Sequence, residues 1–150
     1  MPSTKKKIVI TSMYANPIHP GHIECLEKAK GLGDHLIVIV NNDEQQKLKT
    51  GSLYQDEKFR QKVVSALKPV DETFLAVDED GSVCESIRSI VKEIKKVEFQ
   101  GTYELIFAKG GDRNVWNIPE LGVCDELGGR IVDGLGDKTH NSSDYRKKEY

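Results

Sequence analysis

Short apolar runs alternate with longer amphipathic stretches along most of this 150-residue chain. Residues 7–11 and 35–40 are rich in β-branched side chains and almost continuously apolar, which is typical of strands covered on both faces of a sheet. Three further runs, at residues 73–77, 106–108 and 130–133, are bounded by turn-forming residues. The pattern therefore predicts five strands.

Between the strands, apolar positions recur at the spacing that marks one face of a helix. Helices are predicted at residues 20–30, 56–68, 83–96 and 119–127, with Pro20 at a favourable first position. The side chains expected on the inward faces are Ile23, Leu26 and Ala29, then Phe59, Val63, Val64 and Leu67, then Ile87, Ile90, Val91 and Ile94.

Two segments are defined by polar residues rather than by apolar spacing. Residues 45–54 contain Lys47, Lys49, Thr50 and Gly51, which favour a loop. The stretch that begins at Asn141 supplies N-cap residues for a last helix, predicted to run to the end of the chain.

The alternation of strands and helices predicts a single domain over residues 1–150, a three-layer α/β/α sandwich around a five-stranded parallel sheet. Such sheets bind ligands at the carboxyl ends of their strands, where the strand order reverses. The loops at residues 12–22, 41–51, 109–117 and 134–143 all follow strands. We therefore expect them along one edge of the sheet.

These loops carry the residues of an anion site, since helix N-termini, glycines and cations together favour polyphosphate. His19 and His22 are three residues apart at a helix start, so both can donate hydrogen bonds to charge that develops on a phosphate. Neither a GxxxxGK[ST] loop nor a GxGxxG fingerprint is present. The other loop residues considered are Lys47, Lys49, Arg113, Lys138 and His140, with Gly110, Gly111, Gly134 and Gly136.

Composition narrows the possible partners. The formal net charge of -2 gives no reason to expect binding to nucleic acid or to an anionic membrane. The basic N-terminus precedes only about five apolar residues, too few for a signal-peptide core, so we expect a cytoplasmic protein. Cys25, Cys84 and Cys124 are expected to be reduced thiols within helices.

The tetrad His19-Pro20-Gly21-His22 resembles the HxGH signature of the nucleotidyltransferase superfamily, whose fold is Rossmann-like. Within it, the chain is similar to the small cytidylyltransferases and adenylyltransferases, such as glycerol-3-phosphate cytidylyltransferase, archaeal FAD synthetase and the heptose-phosphate adenylyltransferase domain. Further elements follow in the family order: Gly33-Asp34, Asn41-Asn42-Asp43, Lys49, Arg60 and Lys109-Gly110-Gly111-Asp112-Arg113.

Two segments depart from the family pattern. The second signature, ISSTxxR, is matched by Ser142, Ser143 and Arg146, whereas His140 and Asn141 replace the usual Ile and Ser. Ahead of HxGH, family members often have Gly-x-Phe-Asp, and this chain has Met13-Tyr14-Ala15-Asn16. These differences bear on the choice of nucleotide and acceptor.

The resemblance implies transfer of a nucleoside monophosphate, with CMP favoured, from an NTP to a phosphorylated alcohol or sugar, with release of pyrophosphate. The alternative is an adenylyltransferase that uses ATP on a sugar phosphate or cofactor precursor. A non-catalytic nucleotide-binding module is a further alternative, which the intact HxGH tetrad disfavours. Mg²⁺, held mainly through the NTP, and a homodimer are also expected.

The resemblance also assigns roles to individual residues. Catalysis is expected to involve His19, His22 and Lys49. Substrate binding is expected to involve Lys49, Arg60 and Arg113, although a salt bridge at the helix surface is an equal alternative for Arg60. Trp116 can stack on a base or sugar or contact a second subunit. The expected nucleotide-binding residues are Tyr14, Ala15, Asn16, His19, Gly21, His22, Gly111, Asp112, Arg113, Asn141, Ser142, Ser143 and Arg146.

Overall fold

A computed structural model describes residues 6–51, 55–97, 103–110 and 119–135. The strands in these ranges are β1 (Lys6–Met13), β2 (His35–Val40), β3 (Glu72–Leu75), β4 (Tyr103–Gly110) and β5 (Arg130–Leu135). The helices are α1 (Pro20–Lys30), α2 (Asp43–Thr50), α3 (Glu57–Ser65), α4 (Cys84–Val97) and α5 (Glu120–Glu126). The predicted last helix, from Asn141 onward, lies outside the described residues.

The five strands form one parallel sheet in the order β3-β2-β1-β4-β5, which confirms the predicted architecture. From the central β1 the chain moves outward to β3, then crosses through α4 to β4 on the other side. The strand order therefore reverses between β1 and β4. In parallel sheets a ligand cleft opens at this point, beyond the carboxyl ends of the strands.

Alternating side chains of β1 contribute to two cores, one on each face of the sheet. Ile8 and Ile10 pack in the cluster that contains Ile87 of α4, whereas Val9 packs in the cluster that contains Leu26 of α1 and Val64 of α3. The sheet is thus covered by helices on both sides, as the apolar character of its strands predicts.

The expected inward face of α4 is confirmed, because Ile87, Ile90, Val91 and Ile94 are all buried. The third strand is shorter than predicted: β3 ends at Leu75, and the Val77 side chain is 54% exposed. Beyond Leu75 the Ala76 N–H still donates to the Val40 carbonyl, and the Val77 N–H donates to Ser86 Oγ of α4.

The prediction of a loop at residues 45–54 is wrong, because residues 43–50 form α2. The Asn42 side chain accepts a hydrogen bond from the Gln45 backbone N–H, and the Gln45 side chain accepts one from the Asn42 N–H. Gly51 ends the helix in the left-handed conformation with φ 74°. The sequence signals for this helix are therefore its caps, since a capping box and a C-terminal glycine do not depend on apolar spacing.

The inward face of α3 also differs from the prediction. Phe59 is 52% exposed, and the neighbouring Arg60 is fully buried. Arg60 takes the inward position because its guanidinium group reaches polar groups in the preceding loops. Val64 is buried as expected.

The three cysteines are free thiols, as predicted. Cys25 and Cys84 are partly exposed and Cys124 is buried. Burial, together with nearby acidic groups, raises the pKa of Cys124 to about 12. In the described part of the chain, no helix is both long and apolar enough to cross a bilayer.

Candidate functional site

The start of α1 is capped by two histidines. The Nδ1 atom of His19, the N-cap residue, accepts a hydrogen bond of 3.0 Å from the backbone N–H of Gly21. The Nδ1 atom of His22 accepts one of 3.1 Å from the backbone N–H of His19. This is a capping box in which imidazole nitrogens replace the usual Ser/Thr and Glu oxygens.

These hydrogen bonds determine which ring nitrogen carries the proton. A neutral imidazole has one N–H, and a nitrogen that accepts a hydrogen bond has none. Both neutral rings therefore carry their proton on Nε2. The ring centroids of His19 and His22 are only 3.9 Å apart, so the two Nε2–H groups belong to one compact pair.

His22 is uncharged because its ring is buried. The pKa of His22 falls from 6.5 to about 3, first because burial disfavours the charged form and then because His19 and Lys49 are close by. His22 is therefore neutral at pH 7 and offers an N–H donor without adding a buried positive charge to the site.

The loop between β1 and α1 has a constrained backbone. Ala15 is buried and has φ 51°, in the left-handed region that residues with a Cβ avoid. One residue further on, the Asn16–Pro17 peptide bond is cis. Asn16 is buried as well, and its Oδ1 accepts a hydrogen bond of 2.8 Å from the Gln55 N–H. This loop is thereby attached to the segment before α3.

Arg60 joins three segments at the carboxyl edge of the sheet. Its Nη1 donates to the carbonyl oxygens of Tyr14, at 2.8 Å, and Asn41, at 2.7 Å. Its Nε donates to the Gln55 carbonyl at 2.8 Å, and its Nη2 pairs with Asp43 Oδ1 at 3.0 Å. The guanidinium group thus links the loop after β1 with both ends of the segment that contains α2.

This arrangement corrects the expected role of Arg60 in substrate binding. The Arg60 side chain is 0% exposed, and each of its nitrogens donates to a protein oxygen. The salt bridge considered for this residue is present, but it is internal rather than at the helix surface. We therefore describe Arg60 as a residue that positions the loops.

Helix α2 is anchored through a buried amide. Gln45 is fully buried, and its Nε2 donates to the carbonyl oxygens of Asp80 and Ser82, both at 2.7 Å. Its Oε1 accepts hydrogen bonds from Asn41 Nδ2 and the Asn42 N–H. The buried amide is thus hydrogen-bonded at both its oxygen and its nitrogen, and it attaches α2 to the segment before α4.

Helix α2 presents Lys49 to the loop after β1. The Lys49 Nζ lies 4.2 Å from the centroid of the Tyr14 ring. The positive charge of Lys49 also lowers the pKa of His22, after burial and His19. Lys47 is exposed, and its Nζ lies 3.6 Å from Oε1 of Glu44, one turn earlier on the helix surface.

Several predicted site residues therefore lie together at the carboxyl edge of the sheet: Tyr14, Ala15, Asn16, His19, Gly21, His22 and Lys49. Others lie outside the described residues, and their roles stay predictions: Gly111, Asp112, Arg113, Trp116, Lys138, His140, Asn141, Ser142, Ser143 and Arg146.

Sequence reasoning did not single out Gln46. This residue is buried, and its Nε2 donates to Thr50 Oγ1 at 2.9 Å, while its Oε1 has no hydrogen-bond partner within the described ranges. A buried glutamine has no sequence signal of its own, because the apolar pattern assigns such residues to the surface.

The assembled groups suit an oxyanion with several charges. Two Nε2–H donors and one ammonium group lie beside a helix N-terminus, where main-chain dipoles favour negative charge. In the part of the chain that is described, no three His, Cys, Asp or Glu side chains form a group able to hold a metal ion.

Comparison with known proteins relates this geometry to a family. The family model described as "Cytidylyltransferase-like" matches residues 14–121. The chain is 43% identical over 93 residues to FAD synthase of Ferroglobus placidus, which covers 62% of this chain and 54% of that protein. It is 33% identical over 129 residues to the bifunctional protein HldE of Desulfatibacillum aliphaticivorans, with coverage of 85% and 24%.

The fold is also similar to a solved structure, over nearly the whole length of that protein. The lipopolysaccharide core biosynthesis protein of Thermoplasma volcanium GSS1 matches with a TM-score of 0.65 at 26% identity, covering 89% of this chain and 99% of that one. The chain spans about half the length of the FAD synthase and about a quarter of HldE.

Proposed function

The chain belongs to the cytidylyltransferase-like family, and we propose that it transfers a nucleoside monophosphate from an NTP to a phosphorylated alcohol or sugar. The observation that carries this proposal is the histidine pair at the start of α1. His19 and His22 both accept main-chain hydrogen bonds at Nδ1, so both present an Nε2–H donor. Two such donors suit the charge that develops in phosphoryl chemistry.

In the proposed reaction, an oxygen of the acceptor phosphate attacks the α-phosphorus of the NTP. The new P–O bond forms as the bond to the β-phosphate oxygen breaks, and pyrophosphate leaves with that electron pair. This chemistry requires positioning and charge stabilisation rather than a protein nucleophile. His19 and His22 stabilise the α-phosphoryl oxygens and the leaving oxygen by donating hydrogen bonds.

Positive charge comes from elsewhere in the site. The Lys49 ammonium group is proposed to bind the acceptor phosphate or the triphosphate, and Mg²⁺ would accompany the NTP through its phosphate oxygens. The low pKa of His22 supports a division of labour in which this histidine donates a hydrogen bond and Lys49 supplies charge. Arg113, Ser142, Ser143 and Arg146 are proposed to hold the remaining phosphates or the nucleotide.

Two nucleotides, CTP and ATP, are candidates for the NTP substrate, and different observations support them. CTP is favoured by the resemblance to small single-domain cytidylyltransferases. ATP is the second candidate, and the similarity to FAD synthase supports it because FAD contains an AMP unit. The acceptor would then be a sugar phosphate or a cofactor precursor. We also propose that the protein is cytoplasmic and, from the family resemblance, that it forms a homodimer. Light scattering after size-exclusion chromatography tests the dimer.

The test is a screen of substrate pairs. The protein is incubated with Mg²⁺, each NTP in turn and a panel of phosphorylated polyols, sugars and FMN, and pyrophosphate release is measured. Mass spectrometry then identifies the NDP-linked product. A His19→Ala, His22→Ala double variant is the control. If every pair gives only the background of that control while NTPs still raise the melting temperature, the chain is a nucleotide-binding module rather than an enzyme.

A further inference from the structure

The Lys49 ammonium group lies over the face of the Tyr14 ring, a contact that has no part in the proposed reaction. The Lys49 Nζ lies 4.2 Å from the centroid of the Tyr14 ring, within the range of a cation–π interaction. The ring face of tyrosine is electron-rich, so it attracts an ammonium group. The phenol oxygen is not needed for this attraction.

Both sides of the contact are fixed by the surrounding structure. The Arg60 guanidinium group donates to the Tyr14 carbonyl and also pairs with Asp43, at the start of the helix that carries Lys49. Gln45 attaches the same helix to the carbonyl oxygens of Asp80 and Ser82. The backbones that carry Tyr14 and Lys49 are thus linked through hydrogen bonds.

Holding a lysine ammonium group at one position costs conformational entropy. Lys49 is an exposed residue in the last turn of α2, and a lysine there loses rotamer entropy when its ammonium group is confined to one place. The Tyr14 ring that it contacts belongs to the loop that leads into His19, and the charge of Lys49 lowers the pKa of His22. Contact with the ring therefore favours the rotamers that direct Nζ towards the site.

We propose that Tyr14 is a positioning residue that holds the Lys49 ammonium group beside His19 and His22, ready to bind a substrate phosphate. This inference rests on the proposed function. A cation–π contact at an exposed site is weak enough for a phosphate to compete with it, and its strength corresponds to an about two- to fivefold effect on binding. Tyr14 would therefore tune the affinity for the anion rather than take part in the chemistry.

Anion binding tests this without requiring turnover. Calorimetry measures the affinity of the full chain for inorganic phosphate and for pyrophosphate in the wild type, Tyr14→Phe, Tyr14→Leu and Lys49→Met. For the anion whose binding Lys49→Met weakens, Tyr14→Leu should raise the Kd about two- to fivefold. Tyr14→Phe keeps the ring face and should stay close to the wild-type value.

A double variant separates positioning from a general structural role. If the ring acts through the lysine, Tyr14→Leu should have no further effect in the Lys49→Met background, because the group that it positions is gone. The proposal is overturned if the two losses simply add, if Phe and Leu weaken binding equally, or if Lys49→Met leaves the affinity for both anions unchanged. Melting temperatures of all variants show whether each one folds.

Kinetics provides the second readout once a substrate pair is known. Tyr14→Leu should raise the KM of the substrate that contacts Lys49 more than it lowers kcat. Equal loss of both parameters in Leu and Phe would contradict positioning while leaving nucleotidyl transfer intact. Conversely, absence of product with every substrate pair would refute the proposed function, and the calorimetric comparison would still decide the role of Tyr14.

Discussion

The Nδ1 atom of His22 accepts a hydrogen bond of 3.1 Å from the backbone N–H of His19. Each imidazole in the pair has two tasks as a result. Nδ1 satisfies a helix N–H that would otherwise lack a partner, and Nε2 offers a proton outward. The helix cap and the donor to phosphate are thus parts of the same ring, so a substitution at either position can separate them.

His22→Asn is expected to keep the cap and remove the donor. The asparagine Oδ1 occupies a place close to that of Nδ1 and can accept from the His19 N–H, whereas its amide nitrogen is bonded directly to Cγ and does not reach the place of Nε2. The rate of pyrophosphate release should fall by about 10²–10³-fold, the usual cost of one stabilising donor. His35→Asn is the matched control, since His35 lies at the start of β2 and pairs with Glu72. An equal loss of rate in both variants would contradict the role given to His22.

The acidity of His22 predicts how folding stability depends on pH. Its pKa is about 3 in the folded protein and 6.5 in the reference state, so between these values the unfolded chain binds a proton that the folded chain does not. The free energy of unfolding therefore decreases as the pH falls from about 6.5 towards 3. His22→Asn lacks this contribution.

Urea unfolding at pH 7 and at pH 4.5 provides the measurement. The carboxylates titrate in both proteins, so their contribution cancels in the comparison of His22→Asn with the wild type. The variant should lose less stability on acidification. Equal losses in the two proteins would mean that His22 takes up its proton in the folded state near the ordinary pKa.

The sheet could be predicted because burial on both faces leaves a direct signal in the sequence. A strand covered on both faces must be apolar at nearly every position, and β2 is almost a continuous apolar run. Helix α2 was missed because its buried residues are the amides Gln45 and Gln46, which are held by hydrogen bonds rather than by apolar contact. Only the capping residues Asn42 and Gly51 indicate this helix locally.

The sequence predicted which residues of the candidate site lie together, but not their protonation or their hydrogen bonds. Two histidines three residues apart at a helix start are compatible with a cap, a metal site or a phosphate site, and only the cations and glycines of the other loops favour phosphate. Their proton positions depend on which main-chain N–H each nitrogen meets, and their pKa depends on burial. The direction in which Arg60 points also depends on distant partners, because it is satisfied by carbonyl oxygens from residues 14, 41 and 55.

Gly33 is expected to be required for packing rather than for chemistry. A Cβ at this position would lie 2.8 Å from the Lys7 carbonyl oxygen and 2.8 Å from Cγ2 of Val9. Gly33→Ala should lower the free energy of unfolding by about 1–3 kcal/mol, the usual cost of overpacking. At Gly81 a Cβ meets nothing within 4 Å, so Gly81→Ala is the control and should be near neutral. Urea unfolding of both variants checks this, and equal stabilities would contradict the close approach.

Arg60 is expected to be essential for stability, because its buried guanidinium group donates to four protein oxygens. Arg60→Met removes the partner of the partly buried Asp43 carboxylate and leaves three carbonyl oxygens without their donors. Breaking a buried ion pair by removing one partner costs about 3–5 kcal/mol. The free energy of unfolding measured in urea should fall by that amount.

Arg88→Met is the matched control, because the exposed Arg88 pairs with Glu85 and Glu126 at the surface. Such pairs contribute about 0–1 kcal/mol. Arg60→Lys should recover little of the lost stability, since an ammonium group cannot reproduce the planar fork that serves four oxygens. If Arg60→Met lowers the free energy of unfolding no more than Arg88→Met does, the hydrogen bonds of Arg60 to the loop after β1 and to α2 do not stabilise the fold. If Arg60→Met folds normally and loses only affinity for phosphate anions, the substrate role first expected for this residue is restored.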